Sequence, residues 1–135
     1  MPLTPLCSIE LTAAGEVASV RPFATGEGSE FELGIGTVSG ERLAGECRYS
    51  QRLARRSDGL AELELHGALT TTDGALLMLT AHGNEGADGR GLLVVTLEAQ
   101  DERYRWLNPL ILIGECRFDP DHLHAHIEIS EWSPA

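Results

Sequence analysis

Three histidines recur at every second position in the segment "DPDHLHAHIEISEW", as His122, His124 and His126. On an extended strand, side chains two residues apart share a face and lie roughly 6.6–6.8 Å apart, so two neighbouring imidazoles could share a zinc ion at about 2.0–2.1 Å from each nitrogen. The outer two histidines are about 13 Å apart, too far for one ion to bind all three. A metal site would therefore need a third ligand from another strand, and the available donors are His66, His82 and Glu64.

Acid–base chemistry is the second option, because Glu64 and His66 share one face of the segment "LAELELH". An imidazole with a pKa near 6.5 and a carboxylate whose pKa is raised by burial can together move a proton between carbon and oxygen. His124 is the alternative base, and the amide of Asn108 could donate to an enolate oxygen. The predicted catalytic residues are Glu64, His66, His124 and Asn108, and the chemistry is that of a cofactorless lyase, isomerase or cyclase.

Aromatic side chains supply the predicted binding surface for an apolar or aromatic molecule. Tyr104 and Trp106 would share one side of a regular strand, with Asn108 at the next matching position before Pro109 interrupts the ladder. The competing interpretation is an aromatic plug at a barrel end, with Asn108 capping a bulge. The predicted substrate-binding residues are Trp106, Tyr104, Tyr49 and His82.

The elements that would carry these residues are strands, since apolar and polar residues alternate with a period of two in segment after segment. The boundaries predicted from this alternation are Leu6–Ala13, Glu16–Arg21, Glu30–Val38, Leu43–Gln51, Leu60–Thr71, Ala75–His82, Gly91–Ala99, Tyr104–Phe118 with a break, and His122–Trp132. Asp-Gly pairs end in Gly59, Gly74 and Gly89, and this pair favours tight hairpins because it tolerates positive φ.

Short hairpins join sequence neighbours in antiparallel fashion, which favours a meander, and closing a meander into a barrel removes its two edges. The sequence therefore predicts an all-β fold: a single domain over residues 1–135, forming an antiparallel meander barrel of about eight to nine strands, lipocalin- or calycin-like. A barrel of this size can hold one small ligand.

The polar strand faces remain open to two interpretations. They are either solvated outer surface or the lining of a polar lumen that surrounds a ligand. In the last strand, outward packing of Leu123, Ala125 and Ile127 would bring His124 into the lumen, and inward packing would leave the histidines at the surface.

The negative net charge of the chain argues against polyanionic binding partners. The chain has 10 Lys and Arg against 21 Asp and Glu, a net charge of −11, which disfavours nucleic acid and anionic membrane. The apolar runs fall short of the roughly 20 residues that span a bilayer, and the start lacks a secretory leader. Cys7, Cys47 and Cys116 lack ligand spacing and are expected to be reduced thiols in a cytoplasmic protein.

Glycine-rich stretches such as "GEGSEFELG" lack the strand-to-helix context of a phosphate cradle, so no cofactor is expected. The expected partners are a small-molecule ligand and further copies of the chain, in a homodimer or a higher oligomer.

Three blocks carry a family resemblance: "VSGERLAGECRY", "DGLAELELHGALTTTDGALL" and "YRWLNPLILIGE". Together they resemble the bacterial and fungal family known as domain of unknown function 3237, over most of the chain from about Val38 onward. The resemblance implies a small lipocalin-like barrel and says little about chemistry. The family's motif positions correspond here to Asp58, Gly59, Glu64, Asp73, Gly74, Tyr104, Trp106, Asn108 and Gly114.

The chain departs from this family at two places. The stretch "GRGLLVVTLEAQDE" replaces a longer insertion before the Tyr104 block, and His66 stands where a basic residue such as Arg is expected. We therefore predict a small-molecule-binding barrel, favoured as a cofactorless acid–base enzyme. The alternatives are a non-catalytic carrier of a hydrophobic ligand and a protein with a histidine-ligated metal site.

Overall fold

Eight antiparallel strands close into a barrel in the order of the sequence, in a computed structural model that describes residues 2–20, 28–119 and 123–134. The strands are β1 (Leu3–Val20), β2 (Gly28–Ser39), β3 (Gly45–Arg55), β4 (Ala61–Thr71), β5 (Leu76–Glu85), β6 (Arg90–Ala99), β7 (Ile111–Phe118) and β8 (His124–Trp132). Pairing of β1 with β8 closes the ring. The predicted all-β meander barrel is confirmed, with eight strands.

Tight turns form at the three Asp-Gly pairs. Gly59, Gly74 and Gly89 have φ values of +89°, +90° and +84°, which favour glycine because a side chain would crowd the backbone there. In each turn the glycine N–H donates to a carbonyl three residues earlier, as from Gly59 to Arg56 at 3.1 Å. The hairpin prediction is confirmed at all three positions.

Two predicted boundaries are wrong. The first two predicted strands are one long strand, β1, whose pairing with β2 shifts register between Ala13 and Val17. The strand predicted to begin at Tyr104 begins at Ile111 instead, and residues Arg105–Leu107 form a short 3₁₀ helix. No helix in the part of the chain that the structure describes is long and apolar enough to cross a membrane.

The core consists of inward-facing residues from every strand. In β4, Ala61, Leu63, Leu65 and Leu69 are buried, while Glu62, Glu64 and His66 are exposed on the other face. Each fully buried leucine stabilises the fold by about 1.5–3 kcal/mol relative to an exposed one. The core therefore follows the period-two pattern of the sequence.

Strand β2 reverses the usual sidedness of that pattern. Its apolar Phe31, Leu33 and Ile35 are exposed on the outer surface, while Glu32 and Gly34 face inward. The small inward residue leaves room for larger side chains from β3, and the charged one is carried into the barrel.

Candidate functional site

A cluster of polar side chains lies inside the barrel, where β2 pairs with β3. Glu32 is opposite Gln51 in the strand register, and Tyr49 is opposite Gly34. Glu32, Tyr49 and Gln51 are 7%, 4% and 4% exposed. We call these three residues the inner polar cluster.

The Tyr49 hydroxyl donates a hydrogen bond to Glu32 Oε1 at 3.4 Å. The ring can occupy this position because residue 34 is glycine: a Cβ there would lie 2.4 Å from both Cζ and Oη of Tyr49. A missing side chain on β2 thus allows a large side chain on β3 to lie against the strand and contact the carboxylate two residues away.

Burial raises the pKa of the Tyr49 phenol well above its ordinary value, and the negative charge of Glu32 and the hydrogen bond to it raise the pKa further. Tyr49 is therefore a neutral hydroxyl over the whole physiological range. It can donate a hydrogen bond, and it does not act as a phenolate base.

Further ionisable groups face inward towards the same end of the barrel. Glu85 is 1% exposed, and Arg55 is half-buried and donates from Nη1 to the carbonyl of Gly59 at 3.1 Å. Burial, followed by the charge of Glu85, raises the pKa of Cys116 to about 11. This end of the interior is polar, in contrast to the leucines deeper in the barrel.

The opposite end is closed by the segment that contains the 3₁₀ helix. Leu107 is fully buried under the strand ends, and Asn108 binds the last residue of β6 twice. Asn108 Oδ1 accepts from Ala99 N at 2.7 Å, and its Nδ2 donates to Ala99 O at 2.9 Å. The oxygen and one N–H of this amide are used by Ala99, and Asn108 is exposed at the barrel end. It does not face the interior as predicted, and it ties the segment to β6 instead of capping a bulge.

The aromatic residues of the same segment contribute to this closure. Trp106 stacks under the guanidinium of Arg42, 3.9 Å from the ring centroid, and donates from Nε1 to a main-chain carbonyl. Tyr104 donates to Asp73 Oδ1 at 2.8 Å, and Arg103 forms an ion pair with the same carboxylate at 3.1 Å. The hydrogen bond to Asp73 raises the pKa of Tyr104. The pKa of Asp73 is lowered, first by a hydrogen bond from Thr71 and then by the one from Tyr104. The plug interpretation is the one that the structure supports.

The predicted catalytic pair lies on the outside of the barrel. Glu64 is exposed between Arg52 and His82 in the strand register, and His66 is exposed between Ser50 and Thr80. The alternation of β4 is regular, and its apolar face is the one that packs inward. The expectation that Glu64 and His66 face a luminal ligand is therefore wrong. It is also wrong for His82, which is exposed on the outer face of β5 while its neighbour Ala81 is buried.

The histidines of the last strand are also on the outer surface, because Ala125, Ile127 and Ile129 pack inward. His124 is exposed, with its Nδ1 3.4 Å from Thr12 Oγ1, and it does not enter the lumen. His122 lies outside the described residues. Among those residues, no group of three or more His, Cys, Asp or Glu side chains could hold a metal ion.

His126 lies in a hydrogen-bonded network across the junction of β1 and β8. Its Nδ1 contacts Glu10, its Nε2 contacts Glu128, and Ser8 Oγ donates to both oxygens of Glu128 at 2.9 Å. The contact with Glu10, followed by that with Glu128, raises the pKa of His126, while His126 and then Ser8 lower that of Glu128. We call Ser8, Glu10, His126 and Glu128 the seam network.

Of the eight residues predicted to form the site, Tyr49 alone faces the interior. Sequence reasoning missed Glu32, Gln51 and Glu85. A signal for Glu32 exists in "EFELGIG", where two small residues alternate with apolar ones and so could not themselves fill a core.

The fold and the polar interior define a closed eight-stranded β-barrel protein, and comparison with solved structures agrees. A β-barrel-like protein from Acinetobacter baumannii matches with a TM-score of 0.84 and 19% identity, covering 96% of this chain and 94% of the other. A protein of unknown function from Clostridium acetobutylicum matches with a TM-score of 0.86 and 18% identity, covering 98% and 100%.

An enzyme from Penicillium herquei is also similar, with a TM-score of 0.75 and 20% identity over 95% of this chain and 93% of the other. At these identities the likeness shows a shared fold. No family model matches the chain, and no curated protein matches it. The resemblance to domain of unknown function 3237 stays a prediction.

Proposed function

We propose that the barrel binds a small, mostly apolar organic molecule in its interior and transfers a proton on it without a cofactor, as a lyase, isomerase or cyclase does. The observation that carries this proposal is the buried hydrogen bond from Tyr49 to Glu32 within the inner polar cluster.

Moving the polar side chains of the inner polar cluster from water into the barrel costs free energy, which favours a functional reason for their position. A polar group moved from water into a protein interior loses roughly 1–3 kcal/mol if its hydrogen bonds are not replaced, and a carboxylate loses far more. A leucine at residue 32 would avoid this cost. A buried carboxylate in contact with a buried phenol whose pKa is raised is typical of catalytic positions.

Each member of the cluster has a role that matches its chemistry. Glu32 is the base that removes a proton from carbon, since its carboxylate lies inside the barrel beside the phenol that donates to it. Tyr49, held neutral, turns its single O–H from Glu32 to the ligand oxygen on which negative charge develops when the ligand binds, and this frees the carboxylate to accept the proton. Gln51 orients the ligand through its amide. The leucines deeper in the barrel contact the hydrocarbon part.

The test uses 2-tetralone, an apolar bicyclic ketone with exchangeable protons beside its carbonyl, in D₂O. We expect the protein to accelerate exchange at that carbon, as followed by NMR, and Glu32→Gln to lose about 100-fold or more of the acceleration. The matched control is Glu64→Gln, the same change at an outward carboxylate, which should retain the wild-type rate.

Equal loss of exchange in the two variants, or full activity in Glu32→Gln, would contradict the assignment of Glu32 as the base. Tyr49→Phe removes one hydroxyl oxygen and keeps the ring, so it should retain binding and lose rate.

A passive carrier is the second candidate, favoured by the predominance of leucines in the interior. Its test is the neutral fluorescent probe N-phenyl-1-naphthylamine. Both functions predict saturable binding of one probe per chain, but a carrier would not accelerate ketone exchange above the rate measured without protein.

A further inference from the structure

Among the residues that the structure describes, one side of the barrel surface lacks Asp, Glu, Lys and Arg, although these make up 23% of the chain. A row of register partners crosses five strands here: His82 with Val94, Val94 with Ile113, Ile113 with Ser130, and Ser130 with Pro5. With their outward neighbours they form what we call the neutral face: Leu3, Pro5, Met78, Thr80, His82, Leu92, Val94, Thr96, Ile111, Ile113, Ser130 and Trp132.

The exposed apolar members of the neutral face are large. Met78, Leu92 and Ile111 are 50–56% exposed, and Val94 is 46% exposed. Charged side chains begin at the border, with Glu98 on β6, and with Glu115 and Arg117 on β7. Isolated exposed apolar residues are common on monomers, but a contiguous uncharged face with a charged rim is typical of an interface.

The extent of the neutral face suits a dimer. Its twelve side chains spread over five neighbouring strands, which gives an area of the order needed for a standard stable interface of about 800 Å² per partner. A groove of about 640 Å³ lined by Leu76, Met78, Glu98 and Asn108 continues from its edge.

A second copy of the chain is the occupant that fits the charge. At a net charge of −11, two copies repel each other over most orientations, and the neutral face can meet its own image without placing like charges together. The eight described strands close on themselves, so none of them is left as a sheet edge for pairing between chains, which favours association through a sheet face.

We propose that the protein forms a two-fold symmetric homodimer through the neutral face on β5, β6, β7, β8 and β1. Val94 on one copy faces apolar side chains of the other, so a carboxylate at this position is buried in the interface with His82 of its own copy as its cross-strand polar neighbour. In a symmetric dimer the same defect occurs twice.

The experiment is sedimentation velocity of the full chain over a concentration series, with Val94→Glu and Ile35→Glu as a matched pair. Both positions carry exposed apolar side chains, at 46% and 56%, and both changes add one negative charge. Ile35 lies on β2 outside the neutral face, beside Arg48. We expect a wild-type dimer, an unchanged dimer for Ile35→Glu, and a dimer dissociation constant at least about 10-fold higher for Val94→Glu.

Three results would overturn the proposal. The first is a wild-type chain that stays monomeric up to about 1 mM. The second is a dimer that Ile35→Glu weakens as much as Val94→Glu. The third is a monomer that co-sediments with phosphatidylcholine vesicles, because the neutral face would then be a membrane-contacting surface. Circular dichroism of both variants shows that the barrel is intact.

Discussion

The ring of Tyr49 occupies the space that any side chain at residue 34 would need. A Cβ on Gly34 would lie 2.4 Å from Tyr49 Cζ and 2.5 Å from the main-chain oxygen of Thr12. The glycine thus determines where the buried phenol lies, and through the phenol the contact with Glu32.

Gly34→Ala is therefore expected to destabilise the barrel by about 1–3 kcal/mol, the range for one methyl group forced into a packed core. Urea unfolding measures the loss as a lower midpoint with an unchanged slope. Ile35→Ala, a change at the exposed neighbouring position, is the control and should stay within about 0.5 kcal/mol of wild type. A Gly34→Ala variant as stable as wild type would show that the ring has another place to go.

The seam network predicts a pH dependence of stability. The pKa of His126 is raised in the folded chain above its ordinary 6.5. The contribution of His126 to the free energy of unfolding is therefore fully present below pH 6.5, and it is lost as pH rises through the pKa of the folded chain. Glu128 has a pKa lowered from its ordinary 4.5, so its contribution is present above pH 4.5 and is lost as pH falls through the folded value. The network is expected to stabilise the fold most between pH 4.5 and 6.5.

The comparison is wild type against His126→Gln by urea unfolding at a pH inside this window and at pH 9. Because His126 is 41% exposed, solvent screening limits the difference to below about 1 kcal/mol inside the window, and it should shrink at pH 9. His66→Gln, on the opposite wall, is the control for a general histidine effect. A difference that grows with pH would have the wrong sign for a paired imidazolium.

Asn108→Ala separates a structural role from a catalytic one. It removes two hydrogen bonds to Ala99, each worth about 0.5–1.5 kcal/mol, so a stability loss of about 1–3 kcal/mol is expected. The rate of 2-tetralone exchange by the folded fraction should not change. A large loss of the 2-tetralone exchange rate with no loss of stability would instead indicate that Asn108 takes part in the reaction.

The three thiols are expected to be unreactive in the folded chain. Burial, followed by the charge of Glu128, raises the pKa of the Cys7 thiol to about 12. Burial also raises the pKa values of the Cys47 and Cys116 thiols to about 11. Since the thiolate is the reactive form, Ellman's reagent at pH 8 should release little colour from native protein and three equivalents in urea. Rapid reaction of one thiol in native protein would indicate local opening at its strand.

The architecture could be predicted because it depends on local signals. Asp-Gly pairs mark hairpins and alternation marks strands, and both act over a few residues whatever the rest of the chain does. Residues such as Gly59 and Leu63 accordingly occur where the pattern placed them.

The site was harder to predict because alternation defines two faces of a strand and does not always say which is inward. In β4 the apolar face packs inward, which excludes Glu64 and His66 from the interior. In β2 the apolar face points outward, since Gly34 accommodates a tyrosine from the neighbouring strand. That arrangement depends on Tyr49, which lies opposite Gly34 in the strand register but 15 residues further along the sequence, so no local pattern contains it.

The seam between β1 and β8 also bears on how the chain reaches its fold. Ser8 and Glu128 are 120 positions apart, and closure of the ring brings them into contact. A ribosome adding about 5–20 residues per second would expose β1 for several seconds or longer before β8 exists to cover it. During that interval β1 has one open edge, and contacts at such long sequence separation form slowly because chain entropy is lost before they are gained. The vulnerable period for this protein therefore lies during synthesis, when a chaperone that shields an unpaired N-terminal strand would have its greatest effect.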